Sequence, residues 1–474
     1  MIASKAKYRT PELPQWEGHP LIEALPRLLS AQDVALDLMK APEWTPADRL
    51  RPAYVREVAL ASLRKYFFVL ADHIALERKV ATALRFGYEE RNPADPQWWP
   101  NVRARLESGQ AGLPTYAAGA RASALGFSVT GLTGTGKTTA ILGILSRYPQ
   151  LIVHRKYKRR PFTHLQVVWI VVQTPYDGSI RQLAINILRA IGAVVGEDYV
   201  AKYGGEERMS VPKAIGAVIR VAALHHLGLI VFDEVQQLAK SYTASQRVLD
   251  YLVNLINTVG VPVAMIGTLK AREFLSREFH QIRRSGGLGE THWGRVPRSE
   301  WRPFVENLWQ NQYTQIPVPL TEALIEKFYF LTQGIQDFSV RLFMEAQRLA
   351  ILDEGERVDD AALTSAFDLF PTTAQAIEIL RSPGGNDDLV DDLLAKAARA
   401  DRDLRESLLE AYLARRRPRG AEKSPTGVDN TPSAQPYQDE QQRVNPHGRP
   451  RGDYDSLAGD GLIASPDDFQ EPAT

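Results

Sequence analysis

The sequence has no cysteine, which excludes disulfide bonds, thiolate metal sites and cysteine nucleophiles and fits a reducing compartment. It also lacks an excess of either charge, because 57 Lys and Arg residues face 56 Asp and Glu residues and leave a formal net charge of +1. A polybasic coat is therefore excluded, and any nucleic-acid binding must come from local clusters. The most apolar runs, LQVVWIVV and LGLIVF, are far shorter than the roughly 18 to 20 residues that cross a bilayer. Since the basic N-terminus has no apolar signal segment, a cytoplasmic protein without membrane contact is predicted.

The pattern along the chain predicts four regions. The 474 residues, 44% of them apolar, are enough for more than one folded unit. Residues 1–115 carry apolar positions at three-to-four spacing and predict an N-terminal helical region. Strand-like runs alternate with helical runs over 116–298, which predicts an α/β core with a central, mostly parallel, doubly wound sheet. Residues 299–414 predict a helical lid and a helical extension, and the Pro-, Gly- and charge-rich residues 415–474 predict a disordered tail.

A glycine-rich segment lies between a strand-like run and a helical run of the core. It matches G-x-x-x-x-G-K-[ST] from Gly131 to Thr138, and this placement separates a phosphate-binding loop from a chance match or a glycine-rich turn. Glycines let successive backbone N–H groups face the phosphates, and the helix N-terminus adds its positive dipole end. Lys137 is predicted to contact the β- and γ-phosphates of ATP, and the Thr138 hydroxyl to hold Mg²⁺. The predicted nucleotide-binding residues are Gly131, Thr133, Gly134, Thr135, Gly136, Lys137, Thr138, Thr139, Asp233 and Arg341.

Two carboxylates end a later apolar run, LIVFDE. Asp233 is predicted to join Thr138 in the Mg²⁺ shell, and Glu234 to orient and polarise the attacking water. The next strand-like run ends at Thr268, which is predicted to sense the γ-phosphate or the water; the alternative is an N-cap for the following helix. The acid pair favours hydrolysis over nucleotide storage.

Arginines further along the chain are candidates for completing the site. Arg283 and Arg284, before a glycine-rich turn, are predicted to act in trans on a neighbouring subunit by stabilising transition-state charge, with Arg295 as a rival. The alternative for the pair is a solvated loop. Arg341, on a predicted lid helix after a glycine turn, is a candidate second sensor or, alternatively, a surface arginine.

The densest basic cluster of the core, HRKYKRR, lies between the first core helix and the second core strand. Cations there could neutralise phosphates, while hydroxyls and backbone N–H groups of the loop after that strand fix register without reading bases. The alternative is a solvated loop. The residues predicted to bind DNA are Lys156, Lys158, Arg159, Arg160, Thr174, Tyr176 and Arg181.

Taken together, these motifs resemble AAA+ ATPases and, more narrowly, the TnsC/TniB family of target-selection regulators from bacterial transposons with multi-subunit transposases. The resemblance covers roughly residues 20–370, and the nucleotide motifs alone would fit many families. Its segments are HPLIEALP, FGYEERNP, GLTGTGKTT, SRYPQLIVHR, DGSIRQLAINILRAIG, LIVFDEVQQLAKS, GVPVAMIGTLKARE, RRSGGLGE and QGIQDFSVRLFMEAQ.

The resemblance implies an AAA+ P-loop fold with a helical lid, ATP and Mg²⁺ as cofactors, and subunits that assemble into a ring or helical filament around double-stranded DNA. It also implies a target-selector partner of the TnsD/TniQ type, transposase subunits as the second partner, and disassembly on hydrolysis, which gives target immunity. The N-terminal helices and the tail are then candidate partner-binding segments. The alternatives are an AAA+ helicase loader or replication initiator, and a signalling NTPase switch that oligomerises without DNA.

Overall fold

A five-stranded parallel sheet forms the centre of the chain in the computed structural model. Its order is β5-β6-β7-β2-β8, which matches the predicted doubly wound α/β core. The strands are β2 (Phe127–Gly131), β5 (Trp169–Gln173), β6 (Leu229–Asp233), β7 (Val263–Gly267) and β8 (Gly289–Trp293). The structure describes residues 3–98, 100, 125–240, 260–272, 275, 287–353, 355–383, 386–397 and 400–401, without the side chains of 238–240.

A second sheet has three strands in the order β1-β3-β4. The sequence pattern did not predict this sheet. It consists of β1 (Ala3–Lys5), β3 (Leu151–Tyr157) and β4 (Arg160–Val167), with β3 and β4 as an antiparallel hairpin. The run LQVVWIVVQ was predicted as one strand, and the structure divides it at Val168. Val167 pairs with Leu151 in the second sheet, whereas Trp169 pairs with Leu229 in the first. The chain therefore changes sheets inside one apolar run.

Helices cover both faces of the parallel sheet. One apolar face packs against α6 (Ile180–Val195) and α8 (Val211–Leu224). The other packs against α4 (Ala71–Glu89) and α5 (Lys137–Leu145), so a helix from the predicted N-terminal region is part of the sheet's cover. Because apolar helices cover the parallel sheet on both faces, its strands have buried residues on both sides. The remaining helices before β6 are α1 (Pro20–Glu23), α2 (Ala31–Leu38), α3 (Ala53–Ala59) and α7 (Tyr199–Lys202).

Helices alone follow β8 in the described residues, as predicted for the lid. They enclose an aromatic-rich core, which includes Trp301, Phe304 and Phe328 and is shared with residues 60–70 of the N-terminal region. Residues 387–397 are also helical. The lid helices are α9 (Arg298–Trp309), α10 (Glu322–Thr332), α11 (Gln336–Leu352), α12 (Asp360–Phe367) and α13 (Pro371–Arg381). Short 3₁₀ helices occur at Pro14–Trp16, Pro46–Leu50, Leu60–Lys65 and Val235–Lys240.

All the described residues belong to one compact unit, Met1–Ala414. The predicted disordered tail, residues 415–474, lies outside the described residues. In the part of the chain that the structure describes, no helix is both long and apolar enough to cross a membrane.

Candidate nucleotide site and basic hairpin

Three predicted motifs meet at one edge of the parallel sheet. Strand β2 pairs with β7, and β7 pairs with β6, all in parallel register. The carboxyl ends of adjacent parallel strands lie at the same edge, where ligands bind in such folds. The phosphate loop after β2, the acid pair at the end of β6 and Thr268 after β7 are therefore neighbours.

The phosphate loop depends on glycine at three positions. Gly134 and Gly136 have φ values of 80° and 87°, in the left-handed region that glycine adopts without strain. A Cβ on Gly131 would lie 2.0 Å from the carbonyl oxygen of Trp293, so only glycine fits between β2 and β8. The Trp293 indole Nε1–H donates to the carbonyl of Thr135 at 2.8 Å and so links the loop to the end of β8.

The Lys137 ammonium is buried inside this loop. Its Nζ donates to the carbonyl oxygens of Gly131 at 2.8 Å and Leu132 at 2.7 Å. Burial lowers the pKa of Lys137 to about 8, against the opposing effect of nearby carboxylates. The two carbonyl oxygens stabilise the ammonium only as dipoles. A bound phosphate would place a full negative charge beside it.

Thr138 and Asp233 form an oxygen pair that suits Mg²⁺. The Thr138 Oγ1 lies 3.3 Å from Asp233 Oδ1 and 3.2 Å from Oδ2. Adjacent ligands of an octahedral Mg²⁺ with oxygens at 2.0–2.1 Å are about 2.9 Å apart, so a small adjustment would let both oxygens bind one ion. The described residues contain no group of three or more His, Asp or Glu that could hold a metal. The other ligands would then come from water and the nucleotide's phosphates, as is common for Mg²⁺.

Glu234 and Thr268 line the same cavity as Thr138 and Asp233. Glu234 is exposed and has a φ of 58°, an uncommon backbone conformation for a residue with a Cβ. Partial desolvation and the adjacent Asp233 carboxylate raise the pKa of Glu234. The buried Thr268 Oγ1 has no hydrogen-bond partner among the described residues, so this hydroxyl makes no N-cap bond to the helical residues that follow. Thr268 is also among the residues that line this cavity.

Two adjoining cavities meet at the loop. The smaller, of about 210 Å³, is lined by the acid pair and Thr268, and the larger, of about 400 Å³, combines aromatic and aliphatic side chains with charged and polar ones. The two cavities could hold one nucleotide, with its triphosphate in the smaller cavity and its nucleoside in the larger one. The loop and lid residues that line both are Thr133, Gly134, Gly136, Thr139 and Asp337. The larger one is also lined by Arg64, Tyr66, Phe67, Ile335, Gln336, Val340, Arg341, Met344, Phe370, Leu394, Ala397 and Asp401.

The predicted arginines have different placements. Arg341 lies on α11 at the larger cavity, where its Nε donates to Asp337 Oδ2 at 2.7 Å. It therefore lines the larger cavity and not the smaller one. Arg295 donates to the carbonyl of Gln333 at 3.2 Å. Arg283 and Arg284 lie outside the described residues.

The basic cluster forms the tip of the β3–β4 hairpin. Lys158 and Arg159 have φ values of 44° and 66°, so both are left-handed, as in a two-residue type I′ hairpin turn. The turn and the adjoining Lys156 and Arg160 are exposed, while Tyr157 between them and the preceding His154 are buried. None of the four cations forms an ion pair with a described residue.

The loop after β5 holds the other three predicted DNA contacts. Tyr176 is 76% exposed. Thr174 is buried, and its hydroxyl donates to the carbonyl of Asp233 at 2.8 Å. The Arg181 guanidinium donates to the carbonyls of Met209, at 2.9 Å, and Glu206. A DNA phosphate would have to replace these internal bonds at Thr174 and Arg181, whereas the hairpin cations are already accessible.

Sequence reasoning missed two polar side chains at the nucleotide site. Asp391, in the helical residues 387–397, is buried and accepts hydrogen bonds from the backbone N–H and the hydroxyl of Thr133, both at 2.7 Å. No local motif marks it, since it is distant in sequence. Gln236 lies two residues after Glu234 and contacts both that carboxylate and the end of β7. Its closeness to the acid pair was a usable signal.

One family model matches the part of the chain that contains the phosphate loop and the acid pair. The family model described as the AAA domain matches residues 121–275. No curated protein gives a significant match. The chain is similar in structure to the Walker-type ATPase of Pyrococcus abyssi, with 14% identity, 59% of this chain and 73% of that chain covered, and a TM-score of 0.36. It is also similar to the ORC1 protein of Aeropyrum pernix in complex with DNA, with 17% identity, 67% of this chain and 84% of that chain covered, and a TM-score of 0.37. For the ORC2 protein of the same organism the identity is 12%, the alignment covers 68% of this chain and 86% of that chain, and the TM-score is 0.36.

Proposed function

We propose, from the AAA+ P-loop fold that this chain has, that it is an ATP-dependent DNA-binding regulator of transposition that assembles on target duplex DNA. The observation that carries the proposal is the pairing, in one unit, of the phosphate loop and acid pair with a hairpin of exposed cations, none of which forms an ion pair with another described residue. The first supplies an ATP-dependent switch, and the second supplies a sequence-independent phosphate contact.

At the nucleotide site, the base and ribose of ATP would occupy the larger cavity and the phosphates the smaller one. Lys137 would leave the two carbonyls for the β- and γ-phosphates, and Thr138 and Asp233 would hold Mg²⁺, which neutralises phosphate charge. Glu234 would accept a proton from the water that attacks the γ-phosphorus, while the bond from that phosphorus to the β–γ bridging oxygen breaks and ADP leaves. The free Thr268 hydroxyl would donate to the γ-phosphate or the water.

At the DNA, the hairpin cations would neutralise phosphates without reading bases. The backbone of the paired strands β3 and β4 holds these exposed cations, Lys156, Lys158, Arg159 and Arg160, and the pairing would limit the backbone entropy lost when they bind. Tyr176 adds an exposed aromatic hydroxyl nearby in sequence. In a ring or helical filament, repeated hairpins would follow the backbone of one duplex.

The transposition role rests on the resemblance of the sequence motifs to TnsC/TniB regulators. It gives the assembly two partners, a target selector of the TnsD/TniQ type and the transposase subunits. Hydrolysis, completed in trans by Arg283 and Arg284 or by Arg295, would disassemble the chain from DNA near an existing insertion and so provide target immunity.

The test is electron microscopy of the purified full chain with duplex DNA and a non-hydrolysable ATP analogue, alongside ATPase assays. The wild type should form rings or filaments on DNA, and Lys137→Ala should form none because it cannot hold the triphosphate. Glu234→Gln should bind ATP, nearly stop turnover and give longer-lived assemblies with ATP itself. Addition of the cognate transposase should accelerate hydrolysis and shorten the wild-type assemblies. A wild-type chain that stays monomeric with saturating ATP analogue, DNA and selector protein would refute the proposal.

A further inference from the structure

The side chain of Gln236 bridges the two strand ends that flank the phosphate cavity. Gln236 belongs to the 3₁₀ helix Val235–Lys240, which starts directly after the acid pair. Its amide Nε2 donates to Glu234 Oε2 at 2.5 Å, and its Oε1 accepts from the backbone N–H of Thr268 at 3.1 Å. One amide therefore links the carboxylate at the end of β6 to the residue that follows β7.

This bridge requires the chemistry of an amide. The Glu234 carboxylate can only accept, and the Thr268 N–H can only donate, so the residue between them needs a donor at one atom and an acceptor at the other. Glutamate at position 236 would offer two acceptors and a second negative charge beside Glu234. An apolar side chain would leave the Thr268 N–H without this partner.

The surrounding backbone leaves room for the bridge. A Cβ on Gly267 would lie 3.1 Å from Gln236 Oε1 and 2.8 Å from the Ala271 Cβ, so glycine at the end of β7 lets the amide approach. Glu234, with its left-handed φ of 58°, lines the cavity at the same point. Among the described residues, the bond from Gln236 is the one side-chain hydrogen bond that Glu234 makes.

We infer that Gln236 is a positioning residue for ATP hydrolysis, which fixes the direction of the Glu234 carboxylate relative to the Thr268 hydroxyl across the γ-phosphate position. The inference rests on the proposed function. Gln236, Glu234 and Thr268 all line the cavity of about 210 Å³ that contains the phosphate loop. Gln236 acts through Glu234, so its removal should slow the chemical step and leave nucleotide binding intact.

The experiment compares steady-state and single-turnover ATP hydrolysis by Gln236→Ala, Gln236→Glu and the matched neighbour Gln237→Ala in the full chain. Gln236→Ala should lower kcat by about tenfold to a hundredfold and change KM and the affinity for a fluorescent ATP analogue by less than about twofold. Gln236→Glu should lower kcat at least as far, and Gln237→Ala should stay at the wild-type value. Gln236→Asn, which keeps the amide on a shorter stem, should recover part of the rate.

A second measurement separates positioning from a loss of folding. In a Glu234→Gln background, Gln236→Ala should cause no further loss of the residual rate, because a residue that acts through Glu234 has nothing left to position. An additive loss there, a wild-type kcat in Gln236→Ala, or a loss confined to KM would overturn the inference while leaving the proposed ATPase intact. A wild-type chain that does not hydrolyse ATP would instead refute the proposed function itself.

Discussion

The carboxylate of Asp391 holds the phosphate loop through Thr133: its Oδ1 accepts from both the backbone N–H and the hydroxyl of that residue at 2.7 Å. Asp391 is 3% exposed. Of the nearby carboxylates, Asp391 does most to raise the pKa of Lys137, against the lowering by burial. Its negative charge therefore acts on the phosphate loop itself. The helical residues 387–397 thereby place a fixed negative charge next to the position of a nucleotide that carries several.

Asp391→Asn should strengthen ATP binding. Asparagine keeps the oxygen that accepts from Thr133 but removes the charge that repels the phosphates. At an effective dielectric constant near 20 we expect a gain of ~1 kcal/mol, or about fivefold in Kd, decreasing with salt. Titration of a fluorescent ATP analogue at pH 7 measures it. Asp392→Asn removes the same charge one residue away, at an exposed ion pair with Lys270, and should change little. Equal effects of the two variants would contradict a local role of Asp391.

Asp233→Asn should abolish the contribution of Mg²⁺ to nucleotide binding. The amide keeps the shape of the side chain but removes the anionic oxygens that lie near Thr138 Oγ1. In the wild type, removal of Mg²⁺ with a chelator should weaken ATP binding at least tenfold, whereas Asp233→Asn should bind equally with and without the metal. Thr138→Ser, which keeps the hydroxyl, is the control and should retain the response to Mg²⁺. A full Mg²⁺ response in Asp233→Asn would place the metal elsewhere.

Reversal of the hairpin charges should weaken DNA binding at every sequence alike. Lys156, Lys158 and Arg159 replaced together by Glu should reduce the slope of log affinity against log salt by about 0.9 for each DNA phosphate that the protein no longer neutralises. Fluorescence anisotropy with two duplexes of unrelated sequence measures both quantities. The variant with Lys156→Arg, Lys158→Arg and Arg159→Lys keeps the charge and should bind like the wild type. An unchanged slope in the reversed variant would mean that the DNA surface lies elsewhere.

The parallel sheet was predictable because its motifs depend on local sequence. A glycine-rich loop before a helix and an apolar run that ends in Asp233 and Glu234 are contiguous signals, and parallel pairing brings their ends together. The β3–β4 hairpin was not predicted, since its basic residues have no apolar alternation and its turn uses Lys158 and Arg159 instead of glycine or asparagine. Strand β8 was also missed, because its sequence GETHW follows a glycine-rich turn and contains few strand-forming residues.

The side chains that support the site could be predicted only in part. Asp391 contacts Thr133 across 258 positions of the chain, and no local pattern reports such a contact. Trp293 supports the loop from the end of the unpredicted strand β8. The walls of the larger cavity combine Tyr66 and Phe67 with lid residues, so they depend on how the N-terminal and lid helices pack. These features are set by tertiary structure, whereas the residues proposed to contact phosphate and metal are set by motif.

Arg56 and Glu356 should make a large contribution to stability. The Arg56 guanidinium is buried and forms two hydrogen bonds, at 2.7 and 2.6 Å, to the carboxylate of Glu356, which joins α3 to the lid. Arg56→Met would leave that carboxylate buried without a counter-charge, at a cost of about 3–5 kcal/mol in the free energy of unfolding. Urea unfolding measures this cost, and adding Glu356→Gln should recover part of it. Arg302→Met, at an exposed ion pair, should leave the midpoint nearly unchanged.

Acid should destabilise the fold through its buried histidines. Burial lowers the pKa of His73 to about 4 from an ordinary value of 6.5, and its Nδ1 accepts from the backbone N–H of Leu70, which requires an unprotonated nitrogen. Between pH 6.5 and 4 the unfolded chain therefore binds more protons at this position than the folded chain, so the free energy of unfolding falls as the pH falls.

The size of this effect can be assigned to His73 by substitution. One such histidine contributes up to about 1.4 kcal/mol per pH unit within that window. His73→Asn keeps an acceptor for Leu70 but does not titrate, so urea unfolding from pH 7 to 5 should show a shallower loss of stability than in the wild type. His292→Asn, at an exposed histidine, should keep the wild-type slope. If His73→Asn keeps that slope as well, His73 is not the neutral buried group that its contacts require.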